Sequence, residues 1–387
     1  MSPIDKEVLN SEQDDRWIVV LLTIGSLFAA LGIGVLIYNF IENTLTRVEE
    51  EKVIQIVEEE ESEDIQFEPI NKIAYKSNYN IWVFDLETND TVKITEDGSK
   101  TYLYTALAWR NKNELSYSMC NLGECLIQTY SFEENKVMDE FEIKAQSIIA
   151  LRWSHKGEVL AYLYNSSSEL SLDVKVGEKV RSLIDFPRLS DVTLDTNDAV
   201  YIRFSPNDEK ILLVNTLVDG DETYIQVLNL SGGMLVSIKK DFNSDPTFPF
   251  FMSNDIFYYK KDDYLYIKPL KSGEETQLTD RVKGAFDFKP SPYKTKISYW
   301  THDWLGGVST VWTYEVGTEE ISRIRDQESH PVWINGDTLV TLKTADCREC
   351  TKEKFEFQGL DKIDLVTKEV STLIELEDIE FFEADNF

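Results

Sequence analysis

Residues 204–213, Phe204-Ser205-Pro206-Asn207-Asp208-Glu209-Lys210-Ile211-Leu212-Leu213, read as an aromatic residue, a polar turn and an apolar strand. Pro206 presets φ for a tight turn, Asn207 and Asp208 accept the turn's remaining angles, and the β-branched and leucine run that follows suits a buried strand. The same order returns at Phe67 (FEPINKIAY), Trp109 (WRNKNELSY), Trp153 (WSHKGEVLAY), Phe251 (FMSNDIFYY), Phe288 (FKPSPYKTKISYW) and Trp333 (WINGDTLVTL). The intervals between successive aromatics are 42, 44, 51, 47, 37 and 45 residues. A period of this length marks a repeat architecture.

Each of the seven segments is followed by a second strand of alternating apolar positions, such as YIQVLNLSGG (224–233) or VWTYEVGTEE (311–320). A polar turn then leads to a short last strand, as in ETQLTD (275–280) or ISRIRD (321–326). Each period therefore holds four strands, a to d from first to last. Four strands per repeat predict a β-propeller blade, and seven repeats predict an all-β, seven-bladed β-propeller over residues 65–387. A lone four-stranded sheet cannot bury both faces, whereas radial neighbours cover each other. A β-sandwich predicts no long-range repeat, and a helical solenoid conflicts with the apolar period of two. The tail Asp378-Ile379-Glu380-Phe381 repeats the pattern Asp64-Ile65-Gln66-Phe67, so the last residues should return to the first blade and close the ring. Which of the two copies forms the innermost strand stays open at this point.

The turn residues carry a family likeness. Phe204-Ser205-Pro206-Asn207-Asp208 resembles the W-S-P-D-G repeat of TolB-type and WD-repeat-like propellers; Trp153-Ser154-His155-Lys156-Gly157 is a second copy with His155 in the proline place. Glu275-Thr276-Gln277-Leu278-Thr279 resembles the L-T strand that ends such repeats. The resemblance implies an extracytoplasmic propeller that binds protein partners, and related propellers gate dipeptidyl-peptidase-like enzymes. The chain departs from TolB in its retained anchor and in having no counterpart of TolB's N-terminal α/β domain.

That anchor is the uncharged run WIVVLLTIGSLFAALGIGVLIY at 17–38. At about 1.5 Å rise per residue it spans about 33 Å, the hydrocarbon thickness of a bilayer. A transmembrane α-helix is expected over 17–41, with Trp17 and Tyr38 at the interfaces. A cleaved signal peptide fits less well, because residues 1–15 are acidic and no A-x-A site follows. Residues 1–16 form a short tail expected in the cytoplasm. Residues 42–64 form an acidic stalk, with ten carboxylates against Arg47 and Lys52, that self-repulsion extends. Ser26, Ala30 and Gly34 repeat every four positions on one helix face, which would allow a weak dimer through the span.

The 387 residues carry 70 Asp and Glu against 39 Lys and Arg, a formal net charge of −31. That balance excludes nucleic acid as a main partner, because phosphate binding needs clustered cations. Three histidines, four cysteines and the lack of H-E-x-x-H, P-loop, Rossmann or G-x-S-x-G patterns leave no expected cofactor, metal centre or hydrolase nucleophile. The positive-inside count ties, so the cysteines decide orientation. Cys120 and Cys125, and Cys347 and Cys350, form two local pairs and no odd thiol, which suits disulfides in an oxidising compartment. A shared zinc site would need units two and seven to meet across unit one. The chain is thus placed in the cytoplasmic membrane, N-terminus inside and propeller outside.

In a propeller the b–c loops and d–a connections emerge on one face. The b–c inserts are read as 215–223, 301–310 and 343–359, together with the CNLGEC turn. His302, Asp303 and Trp304, with Asp219 and Asp221, are the candidate binding residues there, with Trp304 as anchor to a protein or envelope component. The expected function is non-enzymatic: a membrane-anchored binding or scaffolding propeller. The alternative is a glycan or peptide hydrolase using carboxylates converging in the channel, for which adjacent acids such as Asp262 and Asp263 are a weak signal. Asp195 and Asp198 are weak calcium candidates.

Overall fold

The apolar alternation is satisfied in the computed structural model by seven four-stranded antiparallel sheets. The structure describes residues 71–383 except 100–102, 167–168, 188–200, 218–221, 242–248, 262–263, 273, 280–281, 283, 304–306, 345–356 and 376–380. Contacts divide the chain between Asp64 and Ile65, and every described residue lies on the C-terminal side. The tail, span and stalk read at 1–16, 17–41 and 42–64 lie outside the described residues. Among those described, no helix is long and apolar enough to cross a membrane.

Blades 2 to 7 occupy 103–143, 147–187, 201–241, 250–279, 285–326 and 328–375, each with strands a to d paired in chain order. Blade 1 is built from both ends. Strands Lys72–Ser77, Asn80–Asp85 and Thr91–Lys93 supply b, c and d, and Phe381–Glu383 supplies the innermost strand. The register is Lys76↔Phe381, Tyr75↔Phe382 and Ala74↔Glu383. The C-terminal copy of the repeated segment thus closes the ring.

Successive side chains of a strand face opposite ways, so a central strand can serve two interfaces. In blade 4, Ile211 and Leu213 join Leu163 and Leu172 of blade 3, while Leu212 and Val214 join Phe257 and Tyr259 of blade 5. Comparable clusters join blade 1 to 2 around Trp109, 2 to 3 around Tyr162, 6 to 7 around Trp333, and 7 to 1 around Phe84 and Val340. The repeat aromatics are part of this core. Trp153 donates from Nε1 to Ser116 Oγ in blade 2 at 2.8 Å, and Trp333 donates to the Lys289 carbonyl in blade 6 at 3.0 Å.

The inserts read from sequence are shorter than expected. Strands reach Leu217 and restart at Glu222, reach Asp303 and restart at Val308, and reach Thr344 and restart at Phe357. His302 and Asp303 therefore end a strand, paired with Ser309 and Val308, instead of sitting on a loop. Cys120 and Cys125 likewise face each other across strands b and c, with only Leu122 and Gly123 in the turn between Asn121 and Glu124. Backbone pairing continues into these polar stretches because each is a hairpin whose two arms go on pairing, in unbroken register in blades 2, 4 and 6 and past a register shift between Lys343 and Thr344 in blade 7.

Candidate functional site

The two ends of the ring differ in construction. On the a–b face, three turns share one design. Ser154, Ser205 and Ser291 each accept at the carbonyl from the residue three positions on, at 2.8 Å. Their hydroxyls accept from Val159, Lys210 and Lys296 N–H at 3.1, 3.0 and 3.1 Å. The fourth residue of each turn, Gly157, Asp208 or Lys294, has φ of 67°, 62° or 57°. Two of these are the W-S-P-D-G likenesses; the third, Ser291-Pro292-Tyr293-Lys294, lies three residues beyond Phe288 and was hidden by that offset.

These turns are tied blade to blade. Arg110 donates from Nε to the Gly157 carbonyl at 2.9 Å and stacks on Trp153 at 4.8 Å. Asp208, at a place where glycine is usual, uses its side chain to bridge: Oδ1 accepts from His155 N–H at 2.8 Å and lies 2.6 Å from His155 Nδ1, and Oδ2 accepts from Lys156 N–H at 3.0 Å. Burial opposes the charge on Asp208, but these bonds prevail and hold its carboxyl below the usual range. Asn207 N–H donates to Asn254 Oδ1 at 2.8 Å, Lys210 pairs with Asp255 at 3.2 Å, and Lys296 pairs with Asp337 at 2.8 Å. The a–b end is a cross-linked base.

The strand ends on the b–c face are joined by the longest stretches of chain, 188–200 and 242–249 between blades and 345–356 within blade 7, against no more than 270–275 for the strand ends of the other face. Asp219, Asp221, Trp304, Cys347 and Cys350 fall in connections outside the described residues, as do Asp195, Asp198, Asp262 and Asp263. Of the predicted residues, His302 places Nδ1 2.9 Å from Ser309 Oγ, and burial lowers its pKa, so the ring is neutral at neutral pH. Asp303 is the next residue of the strand and takes the opposite face of the sheet, so the two do not converge. Cys120 and Cys125 are bonded, with Cα atoms 4.1 Å apart. Closing so short a loop removes little chain entropy, so a C120A/C125A double variant should lose only about 2 kcal/mol, measured as a lower denaturation midpoint. Thiol alkylation of the native chain without reductant should leave both residues unmodified.

The most perturbed acid on the ring was not foreseen. Glu328 opens strand a of blade 7 directly after the last strand of blade 6, and is 1% exposed. Its Oε2 accepts from Thr341 Oγ1 at 2.7 Å, and Oε1 lies 3.3 Å from Arg325 Nε. Asp361, in strand c and also 1% exposed, has Oδ2 4.0 Å from Arg325 Nη2, while Oδ1 is buried without a partner. Desolvation first, then the adjoining Asp361, pushes the Glu328 pKa up to about 8 against the pull of Thr341 and Arg325. Glu328 therefore carries a proton at neutral pH, buried beside Asp361. Two residues on, His330 packs its ring 4.9 Å from that of Trp300, and burial pushes its pKa down to about 4. Sequence offered no signal for Glu328, since Gln327-Glu328-Ser329-His330 reads as a polar turn. Among the described residues no group of three or more His, Cys, Asp or Glu side chains could hold a metal ion.

No protein-family model matches the chain, and no curated protein matches its sequence. Solved structures do match its fold. The tricorn protease aligns with a TM-score of 0.54 at 12% identity, over 79% of this chain and 33% of its own. A protein of unknown function from Desulfotomaculum acetoxidans aligns with 0.54 at 11% identity, over 81% of this chain and 98% of its own. A candidate 6-phosphogluconolactonase from Bacteroides uniformis aligns with 0.53 at 13% identity, over 81% and 98%. At such identities the likeness shows a shared seven-bladed propeller fold and nothing of activity.

Proposed function

We propose that the chain is a membrane-tethered, extracytoplasmic propeller of TolB-like kind that binds a protein or envelope component on its b–c face. The observation that carries this reading is the contrast between the two ends: tight, cross-bonded turns on one, and the longest connections on the other. Rigid scaffolds with variable connections at one end are how binding surfaces are usually built. The Cys120–Cys125 bridge on that same end supports an oxidising compartment. The acidic charge favours a basic partner and salt-sensitive capture.

A Trp304→Ala change in the full-length, membrane-embedded chain should lower cross-linked partner recovered from its own cell envelope about tenfold or more, the loss of a buried aromatic anchor. Undiminished recovery would count against this face. Protease added outside intact cells should digest the propeller and spare residues 1–16.

The hydrolase reading has one observation in its favour, the raised pKa of Glu328 beside Asp361. It takes second place because both side chains are enclosed between blades 6 and 7, where neither can touch a substrate.

A further inference from the structure

Large apolar side chains that stay exposed gather at one end of the ring. Strands within a blade run antiparallel, so the c–d turns share an end with the a–b turns. Among the described residues, every exposed large hydrophobic except Leu103 and Leu122 lies at that end. Six of them stand at the c–d turns of blades 2, 3 and 4: Val137 and Met138, Val176 and Val180, Met234 and Leu235, between 37% and 53% exposed. These turns adjoin. Lys175 Nζ of blade 3 lies 3.2 Å from Asp139 Oδ2 of blade 2, and Arg181 of blade 3 donates from Nη1 to the Leu230 carbonyl of blade 4 at 3.2 Å. Single surface apolar residues are ordinary, but a rim that carries pairs of them on three adjoining turns marks a contact surface.

The same end receives the chain. Strand Lys72–Ser77 pairs Ser77 with Asn80 at its b–c turn, so Lys72 starts it at the a–b end. The uncharged run at 17–38 thus connects, through residues 39–71, to the end of the ring where the apolar rim stands. We propose that this rim rests on the headgroup layer of the bilayer that holds the run, turning the b–c face away from the lipid. The inference rests on the membrane tether proposed above and adds an orientation to it. At about 3.3 Å per residue, residues 39–71 reach no further than about 110 Å, so the rim never leaves the neighbourhood of the bilayer. A surface held at that effective concentration needs only a shallow contact, which valine, methionine and leucine side chains supply at a lipid interface. A net charge of −31 gives anionic headgroups nothing to attract, so the surface is an uncharged, phosphocholine-like one. Exposed Glu134 and Glu178 sit in the same turns, stay in water and limit the insertion to the interface.

The methionines provide the test. The full-length chain, with isotope-labelled methionine methyl groups, is placed in phosphocholine nanodiscs with and without a lipid spin-labelled at its headgroup. The Met138 and Met234 signals should broaden about fivefold more than that of Met119, which lies beside the Cys120 bridge at the b–c end. Replacing a third of the phosphocholine by phosphatidylserine should reduce the broadening. A Val180→Glu/Leu235→Glu double variant, both positions exposed, should cut the Met138 and Met234 broadening at least threefold and leave the thermal melt unchanged. Equal broadening of Met119, Met138 and Met234, stronger broadening with the anionic lipid, or an unaltered double variant would overturn the proposal. So would rim signals that shift with chain concentration without broadening, the mark of a second copy of the chain on this rim. Flotation of the discs separates the two readings: a chain that floats without rim broadening loses only the orientation, whereas a chain that does not float loses the tether and the orientation together.

Discussion

At pH 8 the Glu328→Gln variant unfolds at a higher denaturant concentration than the parent chain, and at pH 4.5 the advantage disappears. The reason lies in the proton that Glu328 keeps. Its pKa rises from an ordinary 4.5 to about 8 in the folded chain, chiefly by desolvation. A raised folded-state pKa contributes stability that is fully present below the unfolded value and is lost as pH climbs toward the folded one. Between about pH 4.5 and 8 the unfolded chain has released this proton while the folded chain still holds it. Over that window the parent should lose on the order of 3–5 kcal/mol from this group alone. A glutamine amide can donate to Asp361 and accept from Thr341 without any proton to lose, so the variant's slope in this window should flatten. The groups facing Glu328 are Arg325 from blade 6 and Thr341, Asp361 and the paired Lys343 from blade 7. Because the many surface acids titrate in both chains, the readout is the difference between the two stability curves. Parallel curves would mean that Glu328 is ionised in the folded state. Glu328→Ala removes the same titration but strands Asp361 and Thr341, so its curve should run parallel to that of Glu328→Gln and lie about 1–3 kcal/mol below it at every pH.

The ring was legible in the sequence because its physics is local and repeated. An aromatic before a turn, Trp109 or Trp333, announces the end of strand a, and a continuous apolar run such as Ile211 to Val214 announces a strand buried on both faces. The Cys120–Cys125 hairpin was legible for the same reason, since a short spacer with Gly123 closes on itself. Non-local features were not. Glu328 and Asp361 stand 33 positions apart, and neither looks unusual among 70 acids until blade 7 folds and blade 6 covers it. His302 and Asp303 were taken for a loop because polar residues and two glycines follow them, whereas hairpin pairing carried strand b through to Asp303. The bridge from Asp208 to His155 joins turns 53 positions apart, which only the packing of blade 4 on blade 3 brings together.

Closure itself gives the second large effect. A chain ending at Glu375 lacks Phe381–Glu383, the strand that completes blade 1. Its removal leaves the backbone groups of Lys72–Ser77 unpaired on one side and bares the inner edge of a sheet whose Ile73, Ala74 and Tyr75 are otherwise buried. Lost ladder bonds and renewed hydration of that edge together amount to about 3 kcal/mol or more. The truncated chain should therefore melt several degrees lower, and protease should cut first within blades 1 and 7, where the cluster joining Ile73 and Phe84 to Val340 and Leu342 opens. A synthetic peptide of residues 376–387 should restore the melt in a concentration-dependent way, since strand addition to an exposed edge is a general mode of recognition. The repeated segment Asp64-Ile65-Gln66-Phe67 sharpens the experiment, because it precedes the same strand as Trp109 precedes its own. If truncation leaves the melt unchanged, that copy has taken the inner place. Substituting Phe67 by Asp in the truncated chain would then produce the loss, while the same change in the intact chain would not.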